Sequence, residues 1–479
     1  MGILRKIYKL LPSGLKGMVI QVYYSLSGWH FDDLKKWMTE NSSGGGDNSF
    51  IAQESYNRLS SLAAGGRSPI IAIVSPTPPT ETGIANCTIE TYRHANYALD
   101  IYSSFSSTDN YLSMAYAAEI MHSRTKIYSL DTLSYGKAIN NYRAIVYTLG
   151  NSSHNLPYMV SLFRLIDRAN DVPVYVHLHD PVVLNLLRIF SYAVGRDFIF
   201  ELEKVYGKLT DDEKLCAKVE NYQPLVTRGI CGVTALFGQL GVAGIIVNSV
   251  AGETILKADL ANSQDPNCQA NIERLFHPVF PPSSMPLPTD RKNIRIGTFG
   301  IPSSAKCTEL VVQAFRMLRE EIPDSELVIA GFNANRYAQH HALNHVDGII
   351  IVDSPSNFEL QRTMASCHLG IQLRSQNVGE SSGVIPQLLA NNVPVLTSKI
   401  GAFAEYGDAV SYAPPNVDAA GLLRCIMNEL RGQDHREKAM LSFTEAHSPT
   451  RFCSNLLDMV APARLHLISG TSLQADVAE

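Results

Sequence analysis

The amino-acid sequence predicts an α/β protein with two parallel-sheet domains that face each other across a cleft. Short β-branched runs alternate with longer stretches of helical spacing, a pattern typical of βαβ units. A proline-rich segment at residues 277–288 interrupts this alternation, which then begins again. Sheets of this kind bind ligands at the carboxyl ends of their strands, so the cleft is the expected site.

Length and composition fit a globular chain of this design. Of the 479 residues, 45% are hydrophobic and 18% are charged. A charged fraction below the usual quarter or so argues against a disordered or fibrous chain. The formal net charge of −5 gives no bulk basic charge for nucleic acid. No apolar run reaches the ~18 residues that a bilayer-spanning helix needs.

The eight cysteines predict reduced thiols. None lies two or three residues from another, so neither a zinc-ribbon pair nor a redox pair is present. Several lie in apolar segments, as buried thiols commonly do. We therefore expect a reducing, cytoplasmic environment.

The N-terminal residues 1–40 differ from the rest of the chain. Basic residues alternate with apolar ones there, namely Arg5, Lys6, Lys9 and Lys16. Lys16 interrupts the apolar stretch and no small-residue cleavage site follows it, so a signal peptide is not expected. The alternatives are a basic amphipathic extension on an anionic membrane surface, or a helical extension or tail beside the body. The Gly- and Ser-containing residues 41–67 are expected to be a flexible linker.

Apolar runs then define the two Rossmann-like domains. The first domain is expected at 68–282, with buried strands at 69–76, 144–151, 173–180 and 244–249. An interdomain linker follows at 283–292. The second domain is expected at 293–445, with strands at 293–300, 326–331, 348–353, 369–374 and 393–398.

A candidate anion site lies in the second domain, where a strand, a loop and a helix follow one another at 369–392. Pro386 is tolerated only in the first turn of a helix, which places the helix start near Ser382. The backbone N–H groups of Ser381, Ser382 and Gly383 would then face an anion at a positive helix end. The alternative is an ordinary turn with a serine cap.

Lys306 strengthens the case for a phosphate ligand. It follows the first strand of the second domain and precedes a helix expected from about Thr308. This position lies on the same sheet edge as the loop at Glu380. A lysine and helix amides that converge across a cleft suit a diphosphate, although a lone loop lysine can equally be solvated.

The first domain offers polar groups at the same kind of edge. Gly83 begins a helix after the first strand, and a residue without a side chain allows close approach to phosphate or sugar. His177 and His179 share one face of a strand, since alternate residues do, and Asp180 ends it. A histidine there can hydrogen-bond a sugar hydroxyl or a developing charge. The alternatives are a core histidine or a zinc site, and no third zinc ligand lies nearby in the sequence.

These motifs together resemble a known family. The segments at 80–85 (TETGIA), 147–155, 177–181 (HLHDP), 299–306 and 379–405 (GESSGVIPQLLANNVPVLTSKIGAFAE) are similar to those of retaining glycosyltransferases with the GT-B fold. The resemblance extends over residues 68–465 and is to the large group that uses nucleotide-activated sugars. It implies that the first domain binds the acceptor and the second the donor. It also implies that residues 446–479 return to the first domain as a helix with a tail.

The resemblance implies a role for each candidate residue. His179 and Glu380 are the expected catalytic residues beside the transferred sugar. The donor diphosphate is expected to contact Gly83, Lys306, Ser381, Ser382 and Gly383. Gln387 stands where many members have a second glutamate that holds the ribose. The arginine that commonly precedes the lysine is missing, because residues 301–304 are Ile-Pro-Ser-Ser.

The expected reaction is transfer of a hexose from a nucleotide-diphosphate sugar to a glycan or lipid-linked acceptor, with retained anomeric configuration. No two aspartates lie two residues apart, so the Asp-x-Asp metal motif is missing. We therefore expect no metal and no cofactor. Two alternatives stay open: a non-catalytic GT-B binding or scaffold subunit, to which Gln387 and the missing arginine point, and a nucleotide-sugar epimerase. The expected role is polysaccharide biosynthesis on the cytoplasmic membrane face.

Deleting residues 1–48 is expected to leave a folded, donor-binding protein and to reduce its association with anionic vesicles. Each basic residue near such a surface contributes roughly 1 kcal/mol, and the deletion removes the whole basic cluster of Arg5, Lys6, Lys9 and Lys16. Vesicle sedimentation at low salt compares the full-length and shortened chains, with neutral vesicles as the control. Equal sedimentation of the two chains on anionic vesicles would exclude the membrane role.

Overall fold

The computed structural model describes residues 47–80, 82–121, 124–134, 142–166, 172–264, 268, 270–280, 293–432 and 436–462. The basic N-terminal extension predicted at 1–40 and the interdomain linker predicted at 283–292 lie outside these ranges. Within them, every helix is too short or too polar to cross a membrane.

The first sheet has seven parallel strands in the order β3-β2-β1-β4-β5-β6-β7. They are β1 (Ile71–Val74), β2 (Leu99–Ser103), β3 (Thr125–Ser129), β4 (Ala144–Leu149), β5 (Val174–Leu178), β6 (Gly244–Val247) and β7 (Ile272–Arg274). The apolar runs predicted β1, β4, β5 and β6. The sequence analysis did not predict β2, β3 and β7. Strands β2 and β3 each contain a charged residue, Asp100 or Lys126, that is buried in the fold.

The second sheet has six parallel strands in the order β10-β9-β8-β11-β12-β13. They are β8 (Arg295–Phe299), β9 (Glu326–Gly331), β10 (Ile349–Asp353), β11 (Leu369–Gln372), β12 (Val395–Ser398) and β13 (Ser411–Ala413). In both sheets the strand order reverses beside the first strand, which opens a crevice at the carboxyl ends. The predicted fold class of two Rossmann-like parallel-sheet domains is confirmed.

Helices cover the sheets. The first domain contains α1 (Asp47–Ala64), α2 (Gly83–Tyr92), α3 (Thr108–Met121), α4 (Leu156–Ile166), α5 (Leu184–Ala193), α6 (Phe198–Tyr206), α7 (Asp211–Lys218), α8 (Gln223–Thr227), α9 (Val233–Phe237) and α10 (Val250–Ala261). The second contains α11 (Thr308–Glu321), α12 (Ala334–His340), α13 (Asn357–Ala365), α14 (Ile385–Ala390), α15 (Ala419–Arg431) and α16 (Glu437–Ala446), and α17 (Pro449–Val460) follows. Short 3₁₀ turns occur at Leu130–Ser134, Ser153–Asn155, Ser304–Lys306 and Gly401–Ala409.

The segment predicted as a flexible linker at 41–67 differs in the structure, because most of it is helix α1. Ile51, Ser55 and Leu59 lie on one face at helical spacing and are buried. The Ser55 hydroxyl accepts a hydrogen bond from the Ser129 backbone N–H at 2.8 Å. The apolar face of α1 therefore docks on the first sheet and orders the segment.

Helix α17 packs against the first domain. Its Phe452 ring meets Tyr92 of α2 edge-on, with ring centroids 6.4 Å apart. The Tyr97 hydroxyl donates to the Cys453 carbonyl at 3.0 Å. The chain thus crosses back from the second sheet to the first after α16.

The two domains meet through polar contacts at the N-terminus of α10. The Glu405 carboxylate accepts from the backbone N–H groups of Val250 at 2.8 Å and Ala251 at 2.9 Å. The Ser249 hydroxyl caps α10 and donates to the Gly379 carbonyl at 2.7 Å. These bonds hold the loop at residues 377–383 against the first domain and so set the width of the cleft.

Candidate functional site

A cavity of about 1010 Å³ lies between the carboxyl ends of the two sheets. Residues of both domains line it, and five of the eight predicted site residues are among them: Gly83, His179, Ser381, Gly383 and Gln387. The structure thus brings the two sets of predicted residues together from sequence positions about 300 residues apart. Glu380 and Ser382 lie in the same loop, and Lys306 lies on the neighbouring strand end.

Gly83 and Gly383 face open space on opposite walls of the cavity. An added Cβ at either position would meet no protein atom within 4 Å, and neither residue adopts the left-handed backbone that favours glycine. The hydroxyl of Thr82 accepts from the Ala85 N–H at 3.1 Å, which fixes the start of α2 without help from Gly83. The fold therefore does not require glycine at these positions, and the free space belongs to the cavity.

Helix α14 begins at Ile385, three residues later than the sequence analysis placed its start. The Ser382 hydroxyl accepts from the N–H groups of Val384 at 3.2 Å and Ile385 at 3.1 Å, and so satisfies the first amides of the helix. Within the described part of the chain, the backbone N–H groups of Ser381, Ser382 and Gly383 donate to no other residue. These three amides are available to a ligand.

The Glu380 carboxylate is oriented by its own loop. It accepts from the Val378 N–H at 2.8 Å, and the Asn377 amide donates to the Glu380 carbonyl at 2.9 Å. Burial raises the pKa of the Glu380 carboxyl, and the nearby Asp180 carboxyl adds to this, while the loop amides and Arg374 oppose the shift. The Glu380 carboxylate therefore interacts with charged groups of both domains, Asp180 of the first and Arg374 of the second.

Lys306 places a partly buried ammonium beside the loop. It ends the turn Ser304–Lys306, and its Nζ lies next to Gly300, in the space that a Cβ at that position would occupy. Burial lowers the pKa of Lys306 to about 7, and the positive charge of Arg374 lowers it further in the same direction. The amine therefore exchanges its proton near neutral pH.

Arg374 is a cation near this site that the sequence analysis missed. It follows β11, and its guanidinium lies over the Phe403 ring, 5.0 Å from the ring centroid. The resemblance predicts a second cation only ahead of Lys306, at residues 301–304. Arg374 follows the carboxyl end of β11, beside the point where the strand order reverses, and residues at that point commonly bind ligands. Its sequence position after a predicted strand could therefore have identified it as a candidate.

His179 is a neutral imidazole on the first-domain wall. Its backbone N–H donates to the Leu149 carbonyl at 2.9 Å, which extends the sheet pairing past β5. Burial lowers the pKa of His179 well below its usual value, and the rings of His177 and His277 contribute. The ring can therefore accept or donate a hydrogen bond without a charge. His177 is buried and bonds the Asn248 side chain at 2.7 Å, so it is a core histidine.

Gln387 lines the cavity with its amide engaged. Its Nε2 donates to the Gly383 carbonyl at 2.7 Å, and its Oε1 accepts from Gln361 at 2.8 Å. A ribose would have to exchange with one of these partners.

Cys87, His179 and His277 converge on the first-domain wall of the cavity, and their potential ligand atoms lie within 4.8 Å of one another. Sequence spacing predicts no zinc site here, because no third ligand lies near the histidine strand. The fold supplies two further candidates from α2 and from the segment after β7. No local sequence motif predicts that these three side chains lie close together.

No family model and no curated protein matches this sequence. Solved structures do resemble the fold. HepE from Anabaena, solved with UDP-glucose, has a TM-score of 0.54 and 13% identity, covering 82% of this chain and 99% of that one. Sucrose-phosphate synthase from Thermosynechococcus elongatus has a TM-score of 0.52 and 13% identity, covering 82% of this chain and 98% of that one.

The α,α-trehalose-phosphate synthase (UDP-forming) from Burkholderia xenovorans, solved with glucose-6-phosphate, gives a TM-score of 0.52 and 11% identity over 82% of this chain and 100% of that one. Identities this low establish the architecture and not the activity. The structure and these comparisons show that the chain adopts the GT-B fold.

Proposed function

We propose that this protein is a glycosyltransferase that moves a hexose from a nucleotide-diphosphate sugar to a glycan or lipid-linked acceptor, with retention and without a metal in the transfer step. The proposal depends on one observation, which is that Gly83 and Gly383 line opposite walls of the cavity. The space beside each is empty, and the fold does not require glycine at either position. Backbone that is open in this way lets a phosphate or sugar approach the amides closely.

The second-domain wall has the charges that a leaving diphosphate needs. Lys306 and Arg374 supply two cationic groups, and the amides of Ser381, Ser382 and Gly383 supply N–H donors. Helix α14 is only six residues long, so the individual amides contribute more here than a helix macrodipole. Preorganised donors at a developing anion can replace a divalent metal as the electrostatic catalyst.

Glu380 and His179 are proposed to flank the transferred sugar. The Glu380 carboxylate, held by the Val378 amide, accepts a hydrogen bond from a sugar hydroxyl. The neutral His179 ring approaches from the first domain, where it stabilises developing charge by a hydrogen bond. The diphosphate leaves on the face that the acceptor attacks, and the closed cleft limits hydrolysis.

Arg374 also weakens the case for a scaffold subunit without activity. That alternative depends partly on the absence of an arginine before Lys306. Arg374 interacts electrostatically with both Lys306 and Glu380, which is the position a second diphosphate cation would need. HepE, which has the same architecture, was solved with UDP-glucose. UDP and UDP-glucose are therefore the first probes to use on this chain.

Gly383→Ala is expected to lower the affinity for UDP at least tenfold while leaving the fold intact or slightly more stable. The added methyl meets no protein atom but enters the cavity beside the donor amides. Losing one hydrogen bond to a charged group costs about 1.5–3 kcal/mol, whereas Gly→Ala at a compatible site stabilises by ~0.4–1 kcal/mol. Calorimetric titration and thermal unfolding measure the two effects.

Gly65→Ala is the matched control, because Gly65 follows α1 with ordinary contacts of 3.4 and 3.6 Å and lies away from the cavity. It should change UDP affinity in no measurable way. Wild-type UDP affinity in Gly383→Ala would move the diphosphate away from this loop.

The affinity for UDP is expected to fall as pH rises from 7 to 9. The pKa of Lys306 in the free protein is about 7, so the ammonium that a diphosphate requires becomes scarce above that pH. The limit is about tenfold per pH unit, because binding takes up one proton. The pH range from 7 to 9 lies above the pKa of the terminal phosphate of UDP, which is about 6, so that phosphate does not titrate during the measurement.

Lys306→Arg should flatten this pH profile, since a guanidinium stays charged throughout the window. Titration calorimetry at pH 7, 8 and 9 compares the two proteins. An identical pH slope for both would show that another group titrates.

Glu380→Gln is expected to leave UDP affinity nearly unchanged and to slow turnover of the nucleotide sugar by one to two decades. The amide oxygen can still accept from the Val378 N–H, so the loop keeps its shape. The lost interaction with the sugar is a hydrogen bond to a charged group, worth about 1.5–3 kcal/mol. Release of UDP from a donor that the wild-type protein consumes gives the rate.

The companion variant Glu309→Gln changes an acid on α11 that does not line the cavity, and it should turn over at the wild-type rate. If Glu380→Gln also does so, the active site lies elsewhere.

A further inference from the structure

Three side chains with metal-ligand atoms meet on the first-domain wall of the cavity. Cys87 lies in the second turn of α2, His179 follows β5, and His277 follows β7. The Cys87 sulfur is 3.6 Å from Nε2 of His277, and all three ligand atoms lie within 4.8 Å of one another. We propose that Cys87, His179 and His277 bind a thiophilic divalent cation of the Zn²⁺ type.

The spacing of the ligands suits tetrahedral zinc. Zinc–sulfur and zinc–nitrogen bonds of about 2.3 and 2.0–2.1 Å at a tetrahedral angle place sulfur and nitrogen about 3.6 Å apart. The Cys87–His277 pair already has that separation. The third ligand, His179, has its ring centroid 5.8 Å from that of His277, with the two planes almost perpendicular. Its ligand atom lies within 4.8 Å of those of Cys87 and His277, so the three side chains form the candidate ligand set.

Neighbouring groups orient two of the ligands. Nδ1 of His277 lies 2.9 Å from the Pro278 carbonyl, which can only accept, so Nδ1 carries the proton and Nε2 presents its lone pair to Cys87. The Thr91 hydroxyl lies 3.7 Å from the Cys87 sulfur, where it can donate to a thiolate. Hydrogen bonds of this kind to ligand atoms are typical of built metal sites.

The protonation states are compatible with this assignment. Burial lowers the pKa of His277 to about 4 and holds the pKa of His179 well below its usual value, so both rings are neutral at physiological pH. Burial raises the pKa of the Cys87 thiol to about 12, and coordination releases its proton to solvent as the metal–thiolate bond forms. The competing arrangement is a neutral thiol that donates to Nε2 of His277 and binds no ion.

The fourth coordination position opens into the cavity, which all three residues line. Sites with three protein ligands and one open position admit water or a substrate group. This further consequence rests on the proposed function: an ion bound to His179 would occupy the place proposed for the transferred sugar. Zinc is then an inhibitor of transfer, and binding of the ion and of the sugar exclude each other.

Titration of the chelator-treated, full-length protein with Co²⁺ and then Zn²⁺ tests the site. One equivalent of Co²⁺ should give a sulfur-to-cobalt charge-transfer band in the near ultraviolet, which Zn²⁺ abolishes by displacement. Cys87→Ser should lose the band and bind Zn²⁺ at least tenfold more weakly, because a thiolate ligand is removed. Cys216→Ser, on α7 and away from the cavity, should behave as the wild-type protein does.

His277→Gln provides a second variant, and thermal unfolding without metal shows that each variant is folded. No cobalt band, or a band that survives in folded Cys87→Ser, would overturn the proposal. Inhibition has a separate readout: Zn²⁺ should inhibit the wild-type protein at concentrations that leave Cys87→Ser unaffected. Zinc binding without inhibition would retain the metal site and reject its overlap with the sugar. Because the cobalt spectrum does not depend on transferase activity, the metal site can be tested even if the proposed function is wrong.

Discussion

The contact between the Glu405 carboxylate and the N-terminus of α10 is the interaction on which the geometry of the cleft depends. The first N–H groups of any helix lack partners within the helix. Here a carboxylate from the opposite domain supplies two acceptors, at 2.8 and 2.9 Å. Bonds to an ionised acceptor are stronger than neutral ones, and negative charge at a helix N-terminus is favourable. The second domain therefore docks at a fixed register on the first.

That register determines which groups face each other. The Ser249 hydroxyl donates to the Gly379 carbonyl, and the Ser381 hydroxyl donates to the Asn248 carbonyl at 3.2 Å. The middle of the loop at 377–383 is therefore bound to the turn that follows β6. Asn377 supports the loop from inside by accepting from the N–H groups of Gly379 and Ala402. Glu380 and Gly383 are consequently presented to the first domain by a loop with little freedom of its own. Apolar contacts add to these polar bonds, since the Phe276 ring, which follows β7, packs against Tyr406 and Phe443.

The sequence predicted the parts of the molecule whose signals are local. Buried strands such as β4 and β9 appear as apolar runs, and Lys306, Gly83 and Gly383 could be placed at strand ends on the cleft side for that reason. Strand β2 could not be predicted in this way, because its buried Asp100 is stabilised by Arg67 and by Tyr142, which comes 42 residues later. The start of α14 was placed three residues too early because the Ser382 side chain, rather than helical backbone, binds the first amides.

The two walls of the candidate site also differ in whether their residues have local sequence signals. The second-domain wall, which is proposed to bind the donor, comes from the ends of the neighbouring strands β8 and β11, so the sequence placed its residues at one sheet edge, with the exception of Arg374. The first-domain wall combines Cys87, His179 and His277 from three distant segments, and only the fold shows that they meet.

Burial gives His179 a neutral ring, and a neutral ring suits both of the ligands proposed for it. In the proposed function the ring hydrogen-bonds a sugar, and in the proposed metal site it gives a lone pair to a cation. The two proposals together therefore predict competition at one imidazole between a sugar bound by the second domain and an ion bound by Cys87 and His277.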